Sequence, residues 1–89
     1  MNNEILREAA AKYGTPLYLF DIDTIRDRVQ KFREGFGSEV TLTYSMKTNP
    51  FLTKAMSETV ERIEVCSMGE FCICRELGIA PEKLYIAGV

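Results

Sequence analysis

One lysine, Lys47, stands where an enzyme could use it to react with a carbonyl compound. It follows a mostly apolar stretch from Val40 to Met46 and precedes a predicted helix with Asn49 at the N-cap and Pro50 at the first position. In α/β proteins this junction between strand and helix faces the ligand. A neutral lysine amine can attack a carbonyl carbon there and form a Schiff base. The alternative is an ordinary strand-end lysine that reaches solvent.

The residues before Lys47 alternate in direction if they form a strand, because successive side chains point to opposite faces. Ser45 is then expected on the same side as Lys47. Tyr44 and Met46 are expected on the other side, packed against helices. The sequence therefore predicts that Ser45, rather than its neighbours, lies beside the lysine.

Four segments of the chain resemble one known family. The pattern Tyr-x-x-Lys-x-Asn at 44–49 is similar to the lysine segment of the fold-type III pyridoxal-phosphate enzymes, the alanine racemase-like barrel family, in its diaminopimelate and ornithine decarboxylase branch. The same branch is resembled by Gly-Thr-Pro-Leu-Tyr at 14–18, Ser-x-Gly-Glu at 67–70 and Pro-Glu-Lys at 81–83. These segments occur in the family's order and span nearly the whole chain.

The resemblance implies roles for three residues. Lys47 would be the catalytic lysine that holds pyridoxal 5'-phosphate, and Ser45 and Glu64 would lie at the cofactor. Glu64 takes the position of a family aspartate, and its alternative is a solvated glutamate. Glu70 would close a capping box with Ser67, with a direct catalytic role as the second interpretation. No metal ligand is assigned.

The resemblance also implies an activity for a longer parent protein. A decarboxylase of this branch acts on a small amino-acid substrate, and conversion of meso-diaminopimelate to L-lysine and carbon dioxide is the leading reaction. Ornithine, arginine or carboxynorspermidine as substrate, and a non-catalytic fragment or regulator, are the alternatives. The parent is expected to be a homodimer, and the present chain is expected to be inactive alone because it has no histidine for the cofactor ring.

The resemblance implies a (β/α)8 barrel as the fold class, and the length of 89 residues limits how much of one this chain can form. A complete (β/α)8 TIM barrel needs about 250 residues, so we predict an α/β chain that forms a truncated N-terminal portion of such a barrel. Residues 1–38 are expected to form a helix, a strand and a helix that lead into the barrel. Residues 39–89 are expected to form its first, incomplete β/α units.

Composition excludes several partners. The 11 basic and 13 acidic residues form no basic stripe, so nucleic acid is not expected as a partner. No apolar run approaches the ~20 residues of a membrane span, and the start of the chain does not resemble a signal peptide, so a cytoplasmic protein is expected. Cys66, Cys72 and Cys74 are predicted to be buried free thiols rather than zinc ligands.

Hydrophobic periodicity and capping residues predict the elements that position these side chains. Helices are expected at 3–13, from Asp21 or Asp23 to the glycines at 35 and 37, at 50–59 and at 68–77. Strands are expected at 17–20, 40–46, 62–66 and 83–87. The last three strands should be parallel because helices separate them. An apolar inner sheet face is expected from six residues: Val40, Leu42, Ile63, Val65, Leu84 and Ile86.

Overall fold

The computed structural model of the protein describes residues 1–88, so Val89, the last residue of the predicted barrel segment, lies outside the described residues. Within this described part, four α-helices and three β-strands follow one another. They are α1 (Asn3–Tyr13), α2 (Ile22–Phe36), β1 (Thr43–Ser45), α3 (Thr53–Ser57), β2 (Arg62–Val65), α4 (Met68–Glu76) and β3 (Leu84–Ile86). None of the helices within residues 1–88 has both the length and the apolar character that a membrane span requires.

The longer helices begin where a polar side chain caps the first turn. The Asp21 carboxylate accepts a hydrogen bond from the Thr24 N–H over 3.2 Å at the start of α2, and Ser67 does the same for the Glu70 N–H at α4. Gly37, with a φ of 86°, ends α2 in a backbone conformation that favours glycine. The predicted alternative Asp23 is therefore not the cap, and Gly35 lies inside the helix.

The three strands form one parallel sheet in the order β1-β2-β3. Ser45 pairs with Glu64 across β1 and β2, and Glu64 pairs with Tyr85 across β2 and β3. Both crossovers contain a helix, as parallel connections require. The predicted α/β class with parallel strands and crossover helices is confirmed, and the sheet is consistent with a portion of a (β/α)8 barrel.

The two faces of the sheet differ sharply in burial. On one face Ile63 and Val65 are almost completely buried, at 0% and 1% exposure, beneath the helices. The other face is open and polar, with Thr43, Arg62 and Tyr85 exposed. The predicted apolar inner face is therefore wrong. The alternation of side chains sends the aliphatic residues of β2 to the helix side, where they form the core.

The core lies between the sheet and the helices that cover it. The Cys74 thiol of α4 lies 3.6 Å from the Met46 sulfur, and both residues are fully buried. The remaining buried apolar residues come from α2, α3, β2 and the loops beside them: Val29, Met56, Val60, Ile63, Val65 and Ile79. Full burial of one such side chain contributes about 1.5–3 kcal/mol. These buried side chains form a continuous packed layer between the sheet and the helices, which stabilises the helices beyond their local helical propensity.

The ion pair between Arg33 and Glu61 ties α2 to the turn before β2. The two terminal guanidinium nitrogens of Arg33, Nη1 and Nη2, donate to the Glu61 carboxylate over 2.6 and 2.7 Å. Nη2 also donates to the Thr59 carbonyl over 2.8 Å. This bidentate geometry is the strong form of an arginine–carboxylate contact. The arginine lowers the pKa of Glu61 to about 2.

Several predicted elements are shorter than expected or absent. Residues 17–20 form no strand among the described residues, and Tyr18 is 91% exposed. An apolar run becomes a strand only where another strand pairs with it, and the three paired strands of the sheet lie elsewhere. The helix predicted at 50–59 begins as a 3-10 turn, Pro50–Leu52, and only Thr53–Ser57 is α-helical.

Candidate functional site

Lys47 lies in a 3-10 turn, Met46–Thr48, directly after β1. The strand predicted at 40–46 therefore ends one residue earlier than expected, at Ser45, and Lys47 follows it within this turn. Two short-range hydrogen bonds close this turn: the Thr48 hydroxyl donates to the Ser45 carbonyl over 2.8 Å, and the Asn49 N–H donates to the Met46 carbonyl over 3.2 Å. The Lys47 side chain is exposed at the C-terminal end of β1.

Asn49 and Pro50 have the predicted capping positions. The Asn49 side chain accepts a hydrogen bond from the Phe51 N–H over 3.1 Å, and Pro50 opens the following turn. That turn is 3-10 rather than α-helical. The Asn49 cap thus determines where the turn after Lys47 begins, as the sequence predicts.

Lys47 differs from the other two lysines of the β/α region. The Lys54 ammonium donates to the Leu77 carbonyl over 3.3 Å and forms an ion pair with Glu58 over 3.7 Å. The Lys83 ammonium donates to the Ser57 carbonyl. Lys47 has no hydrogen bond or ion pair from its ammonium to any residue in 1–88, so its amine is available to a ligand.

Ser45 and Glu64 meet on the open face of the sheet. Their register pairing brings the Ser45 hydroxyl to 2.8 Å from Glu64 Oε1, to which it donates. Both side chains are half-buried, so Glu64 is not the fully solvated glutamate of the alternative interpretation. Tyr44 packs against the core on the other side and donates its hydroxyl proton to the Asn49 carbonyl over 2.6 Å. Together with the buried Met46, this confirms the predicted alternation along β1.

Cys66 is a third member of the group formed by Ser45 and Glu64. The site predicted from the sequence does not include this residue. Its thiol lies 3.6 Å from Glu64 Oε1 and donates to it. Burial raises the pKa of the Cys66 thiol, as do the negative charge of Glu64 and the hydrogen bond to it, whereas the Lys47 ammonium acts in the opposite direction. The signal available in the sequence was that Cys66 and Glu64 lie two residues apart at the end of one strand, and hence on one face.

The three cysteines do not share one environment. Cys74 is buried as predicted, Cys66 is half-buried and Cys72 is exposed, so the prediction of three buried thiols is wrong for two of them. Cys72 and Cys74 lie two positions apart on α4, which places them on different sides of the helix. Within residues 1–88 no group of three or more histidine, cysteine or acidic side chains has a geometry that could hold a metal ion.

Glu70 has a different partner from the predicted one. In a capping box its carboxylate would accept from the Ser67 N–H. It accepts instead from the Cys66 N–H, over 2.9 Å, although Ser67 caps α4 as expected. The carboxylate therefore binds the N–H one residue before the one that a capping box uses.

Comparison with protein-family models gives no match. Curated relatives, however, match almost the whole chain. It is 34% identical over 86 residues to the diaminopimelate decarboxylase of Aquifex aeolicus, a match that covers 94% of the chain and 20% of that protein. The diaminopimelate decarboxylase of Bacillus subtilis is 33% identical over 86 residues, covering 89% of the chain and 19% of that protein.

A third relative, the diaminopimelate decarboxylase of Mycobacterium tuberculosis, is 29% identical over 87 residues, with 93% of the chain and 19% of that protein covered. The chain thus spans about a fifth of the length of these relatives. The resemblance to this decarboxylase branch, expected from the four motifs, is confirmed: the chain is similar to diaminopimelate decarboxylases along about nine-tenths of its own length.

Proposed function

We propose that this chain is the part of a pyridoxal-phosphate-dependent decarboxylase that carries the cofactor lysine. The parent protein would convert meso-diaminopimelate to L-lysine and carbon dioxide. The observation that carries the proposal is the Lys47 amine, which is exposed at the C-terminal end of β1, whereas the ammonium groups of Lys54 and Lys83 bind backbone carbonyls. Pyridoxal 5'-phosphate, when bound, supplies an electron sink for the substrate's α-carbon.

The residues present fit the aldehyde end of this cofactor. Lys47 offers the amine to which an aldehyde attaches. Ser45 and Glu64 lie on the open sheet face, where their hydrogen bond holds a carboxylate in a fixed orientation. In the proposed site, Lys47 binds the cofactor and Glu64 provides negative charge beside it. Ser45 acts mainly by holding Glu64.

The remaining cofactor contacts would come from other parts of the parent. The chain contains no histidine to stack on the cofactor ring and no glycine-rich phosphate motif. We therefore propose that the 89 residues alone have no decarboxylase activity. The parent would be a cytoplasmic homodimer, by its likeness to the decarboxylase branch. An ornithine, arginine or carboxynorspermidine decarboxylase would use Lys47 in the same way, and substrate assays of the parent separate these alternatives.

Reductive labelling tests the proposal. Borohydride treatment of the parent with pyridoxal 5'-phosphate should leave a pyridoxyl group on the peptide that contains Lys47, as read by mass spectrometry. Lys47→Ala should remove the label, and Lys47→Arg should not restore it because a guanidinium stays protonated. Lys54→Ala is the matched control and should keep the label. Recovery of the label mainly on Lys54 or Lys83 would contradict the assignment.

A further inference from the structure

The carboxylate of Glu64 is held by two donors from neighbouring strand ends. The Ser45 hydroxyl lies 2.8 Å and the Cys66 thiol 3.6 Å from the same oxygen, Oε1. Within residues 1–88, every hydrogen bond to this carboxylate reaches Oε1. One oxygen is therefore anchored from two sides, and Oε2 is left for another partner.

Cys66 is itself fixed by the start of α4. Its backbone N–H donates to Glu70 Oε1 over 2.9 Å, and the next residue, Ser67, caps the helix through the Glu70 N–H over 3.2 Å. Glu70 thus contacts the residues before α4 twice. Its carboxylate accepts from the Cys66 N–H, and its own N–H donates to the Ser67 hydroxyl. A thiol on so constrained a residue has little freedom to leave Glu64.

The chemistry of the thiol agrees with this role. A thiol can donate a hydrogen bond only while it carries its proton. Burial and the nearby carboxylates of Glu64 and Glu70 raise the pKa of Cys66, so the group remains a donor at neutral pH. A thiolate there would instead repel Glu64.

We propose that Cys66 is a positioning residue for Glu64: together with Ser45 it fixes Oε1, so that Oε2 is left to face a ligand on the open side of the sheet. This inference rests on the proposed function for the identity of the ligand, but the contact itself does not depend on any cofactor. Cys66 touches neither substrate nor cofactor in this proposal and acts through Glu64.

Alkylation of the full chain without cofactor tests the contact. Iodoacetamide modification is followed by mass spectrometry at each cysteine over a series of pH values. Cys72, which is exposed, should be modified readily, and the buried Cys74 should be protected. Cys66 should react only at a higher pH than Cys72, and Glu64→Gln should shift its profile to lower pH because the nearby negative charge is gone.

The matched control is Glu76→Gln, which removes an equal charge from an exposed position on α4 and should leave the Cys66 profile unchanged. An unchanged Cys66 profile in Glu64→Gln would overturn the proposal. Rapid modification of Cys74 in the unsubstituted chain would overturn it as well, because the contact exists only in the packed fold. Neither result bears on whether Lys47 accepts the cofactor label.

A second measurement tests positioning rather than contact. In the chain with 13C-labelled glutamate, Cys66→Ala should move the Glu64 carboxyl carbon resonance, and Cys66→Ser should return it toward its original position because a hydroxyl restores a donor. A merely structural role would not be rescued by the serine. Equal shifts in Cys66→Ala and Cys66→Ser would refute the positioning role.

Discussion

The Ser45 hydroxyl and the Glu64 carboxylate bind each other over 2.8 Å across two adjacent parallel strands. Each residue lies on the open side of its strand, and the residues that follow, Met46 and Val65, are buried in the core. The hydrogen bond therefore joins two strands whose next residues are packed in the core. It gives the Glu64 carboxylate a defined orientation in the absence of a ligand.

Glu64→Gln in the parent protein should lower turnover while changing the free energy of unfolding by no more than about 0.5 kcal/mol. Glutamine keeps an oxygen that can accept from Ser45 and Cys66, so packing is retained and only the charge is lost. Steady-state kinetics and urea denaturation give the two quantities. Glu82→Gln, at an exposed position, is the control, and wild-type turnover in Glu64→Gln would contradict a role for the Glu64 charge at the cofactor.

Shortening the side chain of Ile63, a fully buried core residue, should lower the stability of the fold far more than Glu64→Gln does. Ile63 is fully buried, at 0% exposure, and Ile63→Ala should destabilise the fold by about 2–5 kcal/mol through lost burial and the cavity left behind. Ile86→Ala, at a position with 69% exposure, should have a much smaller effect. Urea denaturation followed by circular dichroism measures both variants, and similar losses in the two would contradict the assignment of the core.

The ion pair of Arg33 and Glu61 should make stability depend on acid pH. The pKa of Glu61 is lowered from 4.5 to about 2, so its stabilising contribution is complete above pH 4.5 and is lost as the pH falls toward 2. Glu61→Gln should flatten this part of the curve of denaturation midpoint against pH. Glu34→Gln, on the exposed side of α2, should not. A curve that keeps its full acid slope in Glu61→Gln would argue against the pair.

The isolated chain should associate through the edges of its sheet. A three-stranded parallel sheet has two unpaired edges, and open edges of this kind invite pairing with a second copy. Ile86 at the β3 edge is 69% exposed, so Ile86→Lys should reduce association, measured by sedimentation velocity at several concentrations. Tyr18→Lys, at a position with 91% exposure away from the sheet, should not. A concentration-independent monomer in the unsubstituted chain would contradict this expectation.

Local signals in the sequence predicted the parts of the fold that depend on local physics. Asn49, Ser67 and Gly37 mark helix starts and ends because capping is decided within a few residues. Strand alternation places Ser45 on the face opposite Tyr44, as observed, whereas the roles of Lys47, Ser45 and Glu64 at a cofactor stay predictions. These features need no knowledge of distant contacts.

The errors concern contacts between distant segments. Residues 17–20 have strand-like composition but no neighbouring strand, and pairing cannot be read from one segment. The prediction of an apolar inner face rests on the aliphatic residues of the strands alone. It does not assign each residue to a face, although Thr41, Thr43 and Ser45, at alternate positions, indicate a polar face. Two further contacts are local by contrast: Cys66 lies two residues after Glu64, so strand alternation indicates that they share a face, whereas a capping box does not predict that the Glu70 carboxylate accepts from the Cys66 N–H.

The turn that carries Lys47 has a hydrogen-bonded backbone and a long, exposed side chain. Bonds from Thr48 and Asn49, and the Tyr44 hydroxyl on the Asn49 carbonyl, hold the backbone on both sides of the lysine, while the Lys47 side chain is exposed. Rotations about the bonds of this side chain can therefore redirect its amine while the sheet beneath it keeps its fold.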